Sequence, residues 1–538
     1  MKNVKLFDTT LRDGSQGERV SFTLEDKLTI ARKLDAFGMD YIEGGWPGSN
    51  PKDMKFFEQA GKINWNHAKI VAFGSTRRTG VSVHRDQNIR MLIEADTSAV
   101  SIFGKSWIMH ATVALKVDPE ENLNMIYESV HFLKQHGREV IYDAEHFFDG
   151  YKDNAQYALR TLEQAVRAGA DVLVLCDTNG GTLPDEIYSI TSVVRDKFDT
   201  QVGIHAHNDG DLAVANTLAA VRAGATHIQG TINGFGERCG NANLISVIPN
   251  LTFKMGTQSS VTKNIHALTD LSNFVYEVAN IAPRTEAAFV GKSAFAHKGG
   301  IHVSAVLKNP QTYEHLDPEK VGNSRRVLVS DLAGRSNVQY KMKELQIKSL
   351  DPEVATKVVQ EIKHLEDQGY SFESAEASFE LLVEKHRGST PFFFELEGFR
   401  AFTEKDGEQS PRSEASIRVV VQEREEHTAA EGDGPVNALD NALRKALMRF
   451  YPEIALVHLV DYKVRVLNEA GKTGTASKVR VLIQTRYQND QWTTIGVSEN
   501  IIEASWQALV DSYNFFLLKK YQRVEKEEKK NEEKNIHI

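Results

Sequence analysis

The sequence has few cysteines, no long apolar run and no excess of positive charge. Only Cys176 and Cys239 occur among 538 residues, so no disulfide framework is expected. No segment approaches the roughly 20 apolar residues that span a bilayer, which argues against a membrane protein. The net charge of -9 offers no basic surface for nucleic acid. The N-terminal residues lack a signal-peptide-like apolar stretch, so we expect a cytoplasmic protein.

What the sequence does contain is a regular alternation of short β-rich runs and amphipathic segments. The runs are 4–8, 41–45, 69–74, 99–104, 139–145, 171–177, 201–207 and 226–232. Segment 23–37 opens with Thr23 and Asp26, which suit a helix capping box. Eight strand–helix units predict a closed (β/α)8 TIM barrel of class α/β. An open doubly wound sheet is the alternative, but no glycine-rich dinucleotide motif follows the first strand.

After the barrel, predicted for residues 1–260, the pattern changes twice. Residues 261–388 turn helical and predict linker subdomains. Residues 389–522 return to strands, with the runs 392–402, 415–422 and 426–432 before helix 435–449, and 457–466, 477–487 and 492–497 before helix 501–518. This repeat predicts a pseudo-duplicated βββα domain. The charged tail 523–538 predicts a solvated helix end or a disordered extension.

Polar side chains gather where the predicted barrel strands end. They are Arg12 and Asp13 after the first strand, Asp143 and Glu145 on the fifth, Asp177 and Thr178 on the sixth, His205, His207, Asn208 and Asp209 on the seventh, and the loop 233–241 after the eighth. Active sites of TIM barrels lie at the C-terminal ends of the strands. We therefore expect these residues to converge on one rim.

His205 and His207 form the sharpest local signal. Residues i and i+2 of a strand point to the same face, so both imidazoles face the barrel axis. With a carboxylate and an amide oxygen they make a mixed nitrogen–oxygen site that suits Mn²⁺, Zn²⁺ or Mg²⁺. A pair of structural histidines is the alternative, and the location opposite Asp13 of the first strand favours the metal site.

Three further features bear on chemistry. A guanidinium such as Arg12 next to a metal holds the oxygen of a 2-oxo acid and stabilises charge developing on it, unless it forms only a structural ion pair. Asp143 and Glu145 alternate on one strand, so either orients the metal site or joins a core salt bridge. Phe73 and Phe103 near the ends of the third and fourth strands either narrow a substrate pocket or pack as ordinary core.

Four motifs carry a resemblance to a known family. FDTTLRDG at 7–14, IHAHND at 204–209, GFGERCGNANL at 234–244 and AFAHKGGIHVSAVLK at 294–308 resemble the condensing enzymes of the metal-dependent TIM-barrel metallolyases. That group includes isopropylmalate, homocitrate and citramalate synthases, and residues 7–53 most resemble the longer citramalate synthases. The duplicated C-terminal domain resembles the group's amino-acid-binding regulatory domain. The resemblance covers nearly the whole chain apart from the tail.

The resemblance implies a role for each matching residue. The implied metal ligands are Asp13, His205, His207 and Asn241; Arg12 and Thr178 bind the oxo acid; Arg12, Glu145 and His302 are catalytic; and Glu237 lies near the metal-bound water. In related enzymes the linker histidine reaches the barrel of a neighbouring protomer, which implies a homodimer; His297, five residues earlier, is the competing candidate. The fifth strand departs from the common F-S-x-E-D pattern of the family, because Asp143 precedes Ala144 and Glu145.

The implied activity is an acyl transfer. Acetyl-CoA condenses with pyruvate, and thioester hydrolysis releases citramalate and CoA on the route to isoleucine, with isoleucine as an effector bound where Pro435 opens a helix. The alternatives are a 2-isopropylmalate synthase using 2-oxoisovalerate, a lyase on the same barrel, or a non-catalytic amino-acid sensor. The large duplicated domain counts against a lyase, and the complete metal rim counts against a sensor.

Overall fold

The computed structural model describes residues 3–330, 332, 334–345, 350–388, 393–467 and 477–536, with side chains up to residue 523. Eight parallel strands close into a barrel in chain order. They are β1 (Lys5–Asp8), β2 (Tyr41–Gly45), β3 (Lys69–Ser75), β4 (Ala99–Lys105), β5 (Glu139–Glu145), β6 (Val172–Asp177), β7 (Gln201–Ala206) and β8 (His227–Gly230). The sheet closes because β1 pairs with β8, Lys5 opposite His227. The predicted TIM barrel is confirmed, and the open-sheet alternative is wrong.

Helices follow the strands around the outside of the barrel. They are α1 (Leu24–Phe37), α2 (Pro51–Ala60), α3 (Gln87–Glu94), α4 (Pro119–Gln135), α5 (Phe147–Ala168), α6 (Pro184–Lys197), α7 (Ala213–Ala223), α8 (Leu244–Pro249) and α9 (Leu268–Val278). The predicted capping box at α1 is present: the Thr23 side chain accepts from the Asp26 backbone N–H, and the Asp26 carboxylate accepts from the Thr23 N–H. Two otherwise orphaned donors are thereby satisfied.

The barrel has two apolar layers. Outward-facing residues of the strands pack on the helices, while Phe7, Tyr41, Val71 and Ile141 belong to a separate cluster inside the barrel. His227 lies in this interior layer, with its ring centroid 5.3 Å from that of Phe7 and 5.4 Å from that of Tyr41. The interior is thus filled with side chains below the rim, which leaves the C-terminal rim as the open face.

The second part of the chain begins with short strands and helices. They are β9 (Ala296–His297), α10 (Gly300–Lys308), β10 (Arg326–Val327), α11 (Arg335–Glu344), α12 (Pro352–Asp367) and α13 (Glu376–Arg387). Two βββα units follow: β11 (Glu395–Glu404), β12 (Arg412–Val421), β13 (Arg424–Gly432) and α14 (Pro435–Leu447), then β14 (His458–Val466), β15 (Val479–Tyr487), β16 (Asp490–Ser498) and α15 (Ile501–Ile536).

The duplication is confirmed, because each unit has a three-stranded antiparallel sheet covered by its own helix. The strand predicted for 392–402 begins at Glu395, and residue 392 lies outside the described residues. The helix predicted for 501–518 continues through most of the charged tail to Ile536. Within the described ranges, none of the helices has both the length and the hydropathy that crossing a membrane requires.

The chain divides into two compact units, Met1–Phe295 with Leu316–Arg325, and Ala296–His315 with Arg326–Ile538. The barrel unit therefore runs past residue 260, where the sequence prediction ended it. The reason is that Leu268, Leu271 and Val275 of α9 are buried in the core of the barrel. The region 261–388, predicted as linker subdomains, is divided between the two units.

The buried histidine inside the barrel predicts acid sensitivity of the fold. His227 is fully buried, neither ring nitrogen has a hydrogen-bond partner among the described residues, and burial lowers its pKa to about 3. The unfolded chain, with its ordinary histidine pKa of about 6.5, binds a proton first as the pH falls. Stability is therefore lost progressively below pH 6.5, by about 2 kcal/mol at pH 5.

Replacement of this side chain tests the prediction. His227→Leu should lose less stability than the wild-type protein between pH 7 and pH 5, measured by calorimetric unfolding. His131→Leu, at an exposed position on α4, is the matched control and should retain the wild-type pH dependence. An identical pH dependence in His227→Leu and wild type would contradict a buried neutral histidine.

Candidate active site at the barrel rim

A carboxylate and two imidazoles meet where β1 and β7 end. Nε2 of His205 lies 3.3 Å from Nε2 of His207 and 3.2 Å from Oδ2 of Asp13. All three side chains are buried, and their ligand atoms lie within 4.8 Å of one another. The i, i+2 spacing thus places both imidazoles on the inner face, as predicted. Metal–ligand bonds of about 2.1 Å put neighbouring ligand atoms about 3.0–3.4 Å apart, so the cluster fits one divalent ion.

Asn241 joins this cluster from the loop after β8. Its amide nitrogen lies 3.0 Å from Nε2 of His205 and 3.2 Å from Oδ2 of Asp13. Its buried amide oxygen has no hydrogen-bond partner among the described residues. A half-turn of the amide presents this oxygen to the same point, where a cation satisfies it. Glycine is needed at 236, because a Cβ on Gly236 would lie 1.8 Å from Oδ1 of Asn241.

A chain of hydrogen bonds orients the His205 ring. Nδ1 of His205 donates to Oε1 of Gln229 at 2.8 Å, and Nε2 of Gln229 donates to Oδ1 of Asp143 at 3.0 Å. The hydroxyl of Ser101 donates to the other oxygen of Asp143 at 2.6 Å. Because the Gln229 oxygen only accepts, neutral His205 carries its proton on Nδ1 and presents the Nε2 lone pair to the cluster. Metal-ligating histidines are oriented in this way.

Arg12 lies between two carboxylates beside the cluster. Its Nε is 2.7 Å from Oε2 of Glu43, and its Nη1 is 3.2 Å from Oδ2 of Asp13. The Thr9 hydroxyl donates to the same oxygen of Glu43. The guanidinium carbon lies 3.7 Å from the ring centroid of Phe73, which is a cation–π contact. Ion pairs and ring together hold the guanidinium in one place.

Burial and charge set the ionisation of the cluster. Burial acts to raise the pKa of Asp13, but the charge of Arg12 and the His205 hydrogen bond hold it well below its usual range. Burial acts to lower the pKa of His205, and the hydrogen bond and charge of Asp13 outweigh this and raise it. Burial and His205 lower the pKa of His207 to about 3. Burial and Glu43 raise the pKa of Asp143 to about 6. The cluster therefore offers the carboxylate of Asp13 and the neutral imidazole of His207 at pH 7, and binding of a cation favours the neutral form of His205.

The cluster opens into a cavity of about 210 Å³. Its lining comprises Arg12, Asp13, Gln16, Trp46, Phe73, Phe103, Asp143, Glu145, Cys176, Thr178, His205, His207 and Glu237. The rings of Trp46, Phe73 and Phe103 lie together, with centroids 5.5 to 5.7 Å apart. One side of the cavity is charged and the other aromatic, which suits a small organic acid with a short apolar group.

Three more of the residues implied by the resemblance line this cavity, namely Thr178, Glu145 and Glu237. Thr178 does so, and its hydroxyl oxygen accepts from the backbone N–H of His146 at 2.9 Å. Glu145 does so as well, and it forms an ion pair with Lys105 at the end of β4. The negative charge of Glu145 is thus balanced by Lys105, a cation that the sequence interpretation missed.

The linker histidines belong to the second unit. His302 is exposed on α10, with its ring centroid 4.3 Å from that of Tyr313. His297 is largely buried and its Nε2 lies 3.1 Å from Oε1 of Glu314. Of the two, His302 is the histidine presented to solvent, and its role in proton transfer stays a prediction.

Other site residues escaped the sequence interpretation. Glu43 on β2 and Gln229 on β8 are fully buried, and the other residues of both strands, on both faces, are buried as well. A charged or amide side chain inside such a run was the available signal, since buried polar groups require partners. Trp46, directly after β2, carried no signal of its own.

The fold and the site together define a class of protein. It is a TIM-barrel protein whose C-terminal rim gathers Asp13, His205, His207 and Asn241 in an arrangement that fits a divalent metal ion, beside a fixed arginine.

Comparisons with known proteins narrow this class. The HMGL-like family model matches residues 3–275, the model called homocitrate synthase post-HMGL domain-like matches 289–370, and that of the LeuA allosteric (dimerisation) domain matches 373–517. The chain is 56% identical to the (R)-citramalate synthase of Aquifex aeolicus and 56% identical to that of Geobacter sulfurreducens, with 96% of this chain and 98% of each relative covered. It is 34% identical to a probable 2-isopropylmalate synthase of Methanopyrus kandleri, over 95% of this chain and 98% of that protein. The chain therefore belongs to the HMGL-like family, in the branch of the (R)-citramalate synthases.

The orientation of His205 gives a prediction for metal binding. Gln229→Leu removes the acceptor of the Nδ1 proton, so the ring and its tautomer are no longer held. We expect the affinity for Mn²⁺ to fall by about 10- to 100-fold, measured by titration calorimetry. Gln201→Leu, a glutamine on the same barrel whose amide donates to Thr226 at 3.1 Å, is the matched control and should bind Mn²⁺ like the wild type. Equal affinity in the two variants would rule out the orienting role.

Proposed function

We propose that the enzyme is an acyltransferase that joins acetyl-CoA to pyruvate and hydrolyses the resulting thioester, releasing citramalate and CoA. The observation that carries this proposal is the cluster of Asp13, His205 and His207 beside the fixed guanidinium of Arg12. The cluster accounts for activation of a 2-oxo acid, and the (R)-citramalate synthases among the relatives support the choice of substrates.

Four side chains would hold the metal ion. They are Asp13, His205, His207 and Asn241, a mixed oxygen–nitrogen set that suits Mn²⁺, Mg²⁺ or Zn²⁺. The buried, unsatisfied oxygen of Asn241 supports this assignment. A divalent ion bound there supplies Lewis-acid polarisation of the oxo group.

Arg12 and Thr178 bind the acceptor. Arg12 donates to the oxo oxygen and stabilises the negative charge that grows on it as the carbon–carbon bond forms. The hydroxyl oxygen of Thr178 already accepts from the His146 backbone, so its own proton is available for the substrate carboxylate. Both residues line the cavity, which supports their assignment to one small acid.

Proton transfer at the acetyl group falls to Glu145 and His302. Removal of a methyl proton leaves an electron pair that attacks C2 of the oxo acid, and the oxo oxygen becomes an alkoxide. Glu145 lines the cavity. His302 lies in the second unit, and we propose that the enzyme is a homodimer in which this histidine serves the barrel of the neighbouring subunit. The match of residues 373–517 to a dimerisation domain supports the dimer.

The aromatic side of the cavity supports pyruvate over larger acceptors. Phe73 carries the Arg12 guanidinium on its face, Phe103 stacks on Phe73, and both rings line the small cavity of about 210 Å³. A 2-isopropylmalate synthase is the alternative function, because one such relative is 34% identical over most of the chain. Its acceptor, 2-oxoisovalerate, has an isopropyl group in place of the methyl group of pyruvate. In a fitted pocket, each added methylene contributes about 1–3 kcal/mol to the free-energy difference that discriminates two substrates.

Release of free CoA tests the proposal directly. With acetyl-CoA and Mn²⁺, the enzyme should release CoA with a kcat/KM for pyruvate at least about tenfold higher than for 2-oxoisovalerate. A higher value for 2-oxoisovalerate would make the chain a 2-isopropylmalate synthase, and no release with either acid would reject the proposal. Arg12→Ala, Asp13→Ala and His302→Ala should each lose orders of magnitude in turnover, and a near-wild-type rate removes that residue from its role.

We also propose that the C-terminal domain binds isoleucine as an effector. Its match to an allosteric domain supports regulation. Pro435 opens α14 after Gly434, and the free N–H groups of a first helical turn suit the carboxylate of an amino acid. Isoleucine is the amino acid to which citramalate leads.

Calorimetry and inhibition measure this regulation. Isoleucine should bind the full-length enzyme and lower its rate of CoA release, with leucine as the comparison ligand. Gly434→Val places a branched side chain at the entrance of α14, where open space surrounds the glycine, and should raise the isoleucine concentration needed for half-inhibition. Absence of both binding and inhibition would leave the domain as a dimerisation module.

A further inference from the structure

The rings of Trp46, Phe73 and Phe103 form the aromatic wall of the cavity. Asn88, which lies outside the cavity lining, holds the Trp46 ring of this wall. The indole N–H of Trp46 donates to Oδ1 of Asn88 at 2.6 Å. Asn88 lies on α3, is 7% exposed, and stands behind the wall rather than in the cavity lining. A tryptophan side chain has several rotamers, so a short hydrogen bond at its far end selects one of them.

The amide of Asn88 has one possible orientation. Its Nδ2 donates to the backbone oxygen of Ser75 at 2.7 Å. Since an indole nitrogen only donates and a carbonyl oxygen only accepts, the amide oxygen must face Trp46 and the amide nitrogen must face Ser75. Asn88 therefore connects the Trp46 ring to the end of β3, two residues beyond the Phe73 ring on the same strand.

Glycines leave the space that this amide occupies. A Cβ on Gly74 would lie 3.0 Å from Oδ1 of Asn88, and a Cβ on Gly48 would lie 3.2 Å from it. The backbone end of Trp46 is fixed as well, because its N–H donates to Oδ2 of Asp53 at 2.9 Å. Both ends of Trp46 are thus held, one by Asp53 and the other by Asn88.

The held ring closes the cavity on the aromatic side. Trp46 meets Phe73 at an interplanar angle of 88° and Phe103 at 85°, while the two phenylalanines stack at 23°. The closure of this wall depends on the orientation of the Trp46 ring, which stands edge-on to the two stacked rings. Rotation about the Trp46 side-chain bonds would open the gap that the ring fills. The hydrogen bond to Asn88 opposes that rotation.

We infer that Asn88 is a positioning residue that sets the size of the acceptor pocket by holding Trp46 against Phe73 and Phe103, and thereby restricts the acceptor to a 2-oxo acid with a methyl-sized side chain. This inference rests on the proposed function and extends it to a residue that touches no substrate.

The test compares two acceptors that differ by one methylene, pyruvate and 2-oxobutyrate. In Asn88→Leu the indole N–H loses its acceptor, and the ring is free to turn. The ratio of kcat/KM for 2-oxobutyrate to that for pyruvate should rise by about tenfold or more, the discrimination that one methylene provides in a fitted pocket. The KM for acetyl-CoA should stay unchanged. An unchanged acceptor ratio in a folded Asn88→Leu protein would overturn the inference.

A double-mutant cycle shows whether Asn88 acts through Trp46. Trp46→Phe keeps a ring but removes the N–H donor, and its acceptor ratio should rise in the same direction. Adding Asn88→Leu to Trp46→Phe should then change the ratio no further. Multiplicative effects of the two substitutions would show that Asn88 acts by another route. If Asn88→Leu does not fold, the ratio in Trp46→Phe alone decides whether the wall sets the pocket size.

Two controls separate this inference from others. Asn122→Leu removes a buried amide that bonds the Lys105 backbone and the Tyr157 hydroxyl but none of the three rings, so it should reduce the unfolding temperature and keep the wild-type ratio. If the wild-type enzyme releases no CoA with any 2-oxo acid, the proposed function fails. In that case calorimetric affinities for the same two acids, in the wild-type protein and Asn88→Leu, still decide the role of Asn88.

Discussion

The guanidinium of Arg12 is the fixed positive charge on which the buried acids of the barrel rim depend. Asp13 and Glu43 are both buried and both contact it, and a buried carboxylate without a partner would take up a proton. Asp143, farther along the rim, has a pKa raised to about 6 by burial and Glu43. Arg12 thus keeps Asp13 ionised. Only an ionised Asp13 supplies the negatively charged ligand that a divalent cation requires beside the two imidazoles of His205 and His207.

Much of this architecture could be predicted from the sequence, because it depends on local patterns. Strand–helix alternation predicted the barrel, and the repeat in the last third predicted two βββα units. Strand ends share one rim of a parallel barrel, so Asp13, Thr178 and His205 were expected to meet although they are far apart in the chain. The i, i+2 spacing likewise predicted that His207 joins His205.

What escaped prediction depends on contacts between distant strands. Glu43 reaches Arg12 across from β2, and Gln229 on β8 reaches Asp143 on β5 through the barrel interior. Such pairings follow from the tilt and stagger of the closed sheet, which a linear pattern does not encode. For Asp143, which departs from the family pattern, the sequence left open whether it orients the metal site or joins a core salt bridge. In the structure it accepts from Ser101 and Gln229, and so continues the chain of hydrogen bonds that orients His205.

The stacking of Arg12 on Phe73 constrains how the acceptor range of this enzyme can be altered. The face of Phe73 carries the Arg12 guanidinium, and Phe103 lies 5.2 Å from Nζ of Lys105, the partner of Glu145. Truncating either phenylalanine to admit a bulkier acid also removes the cation–π contact that holds Arg12 or Lys105. A wider range of acceptors is therefore coupled to a slower turnover. The ring of Trp46 is held by the uncharged amide of Asn88 instead. A protein engineer who seeks new chiral hydroxy acids from this scaffold therefore has a route through Trp46 and Asn88 that leaves both cations in place.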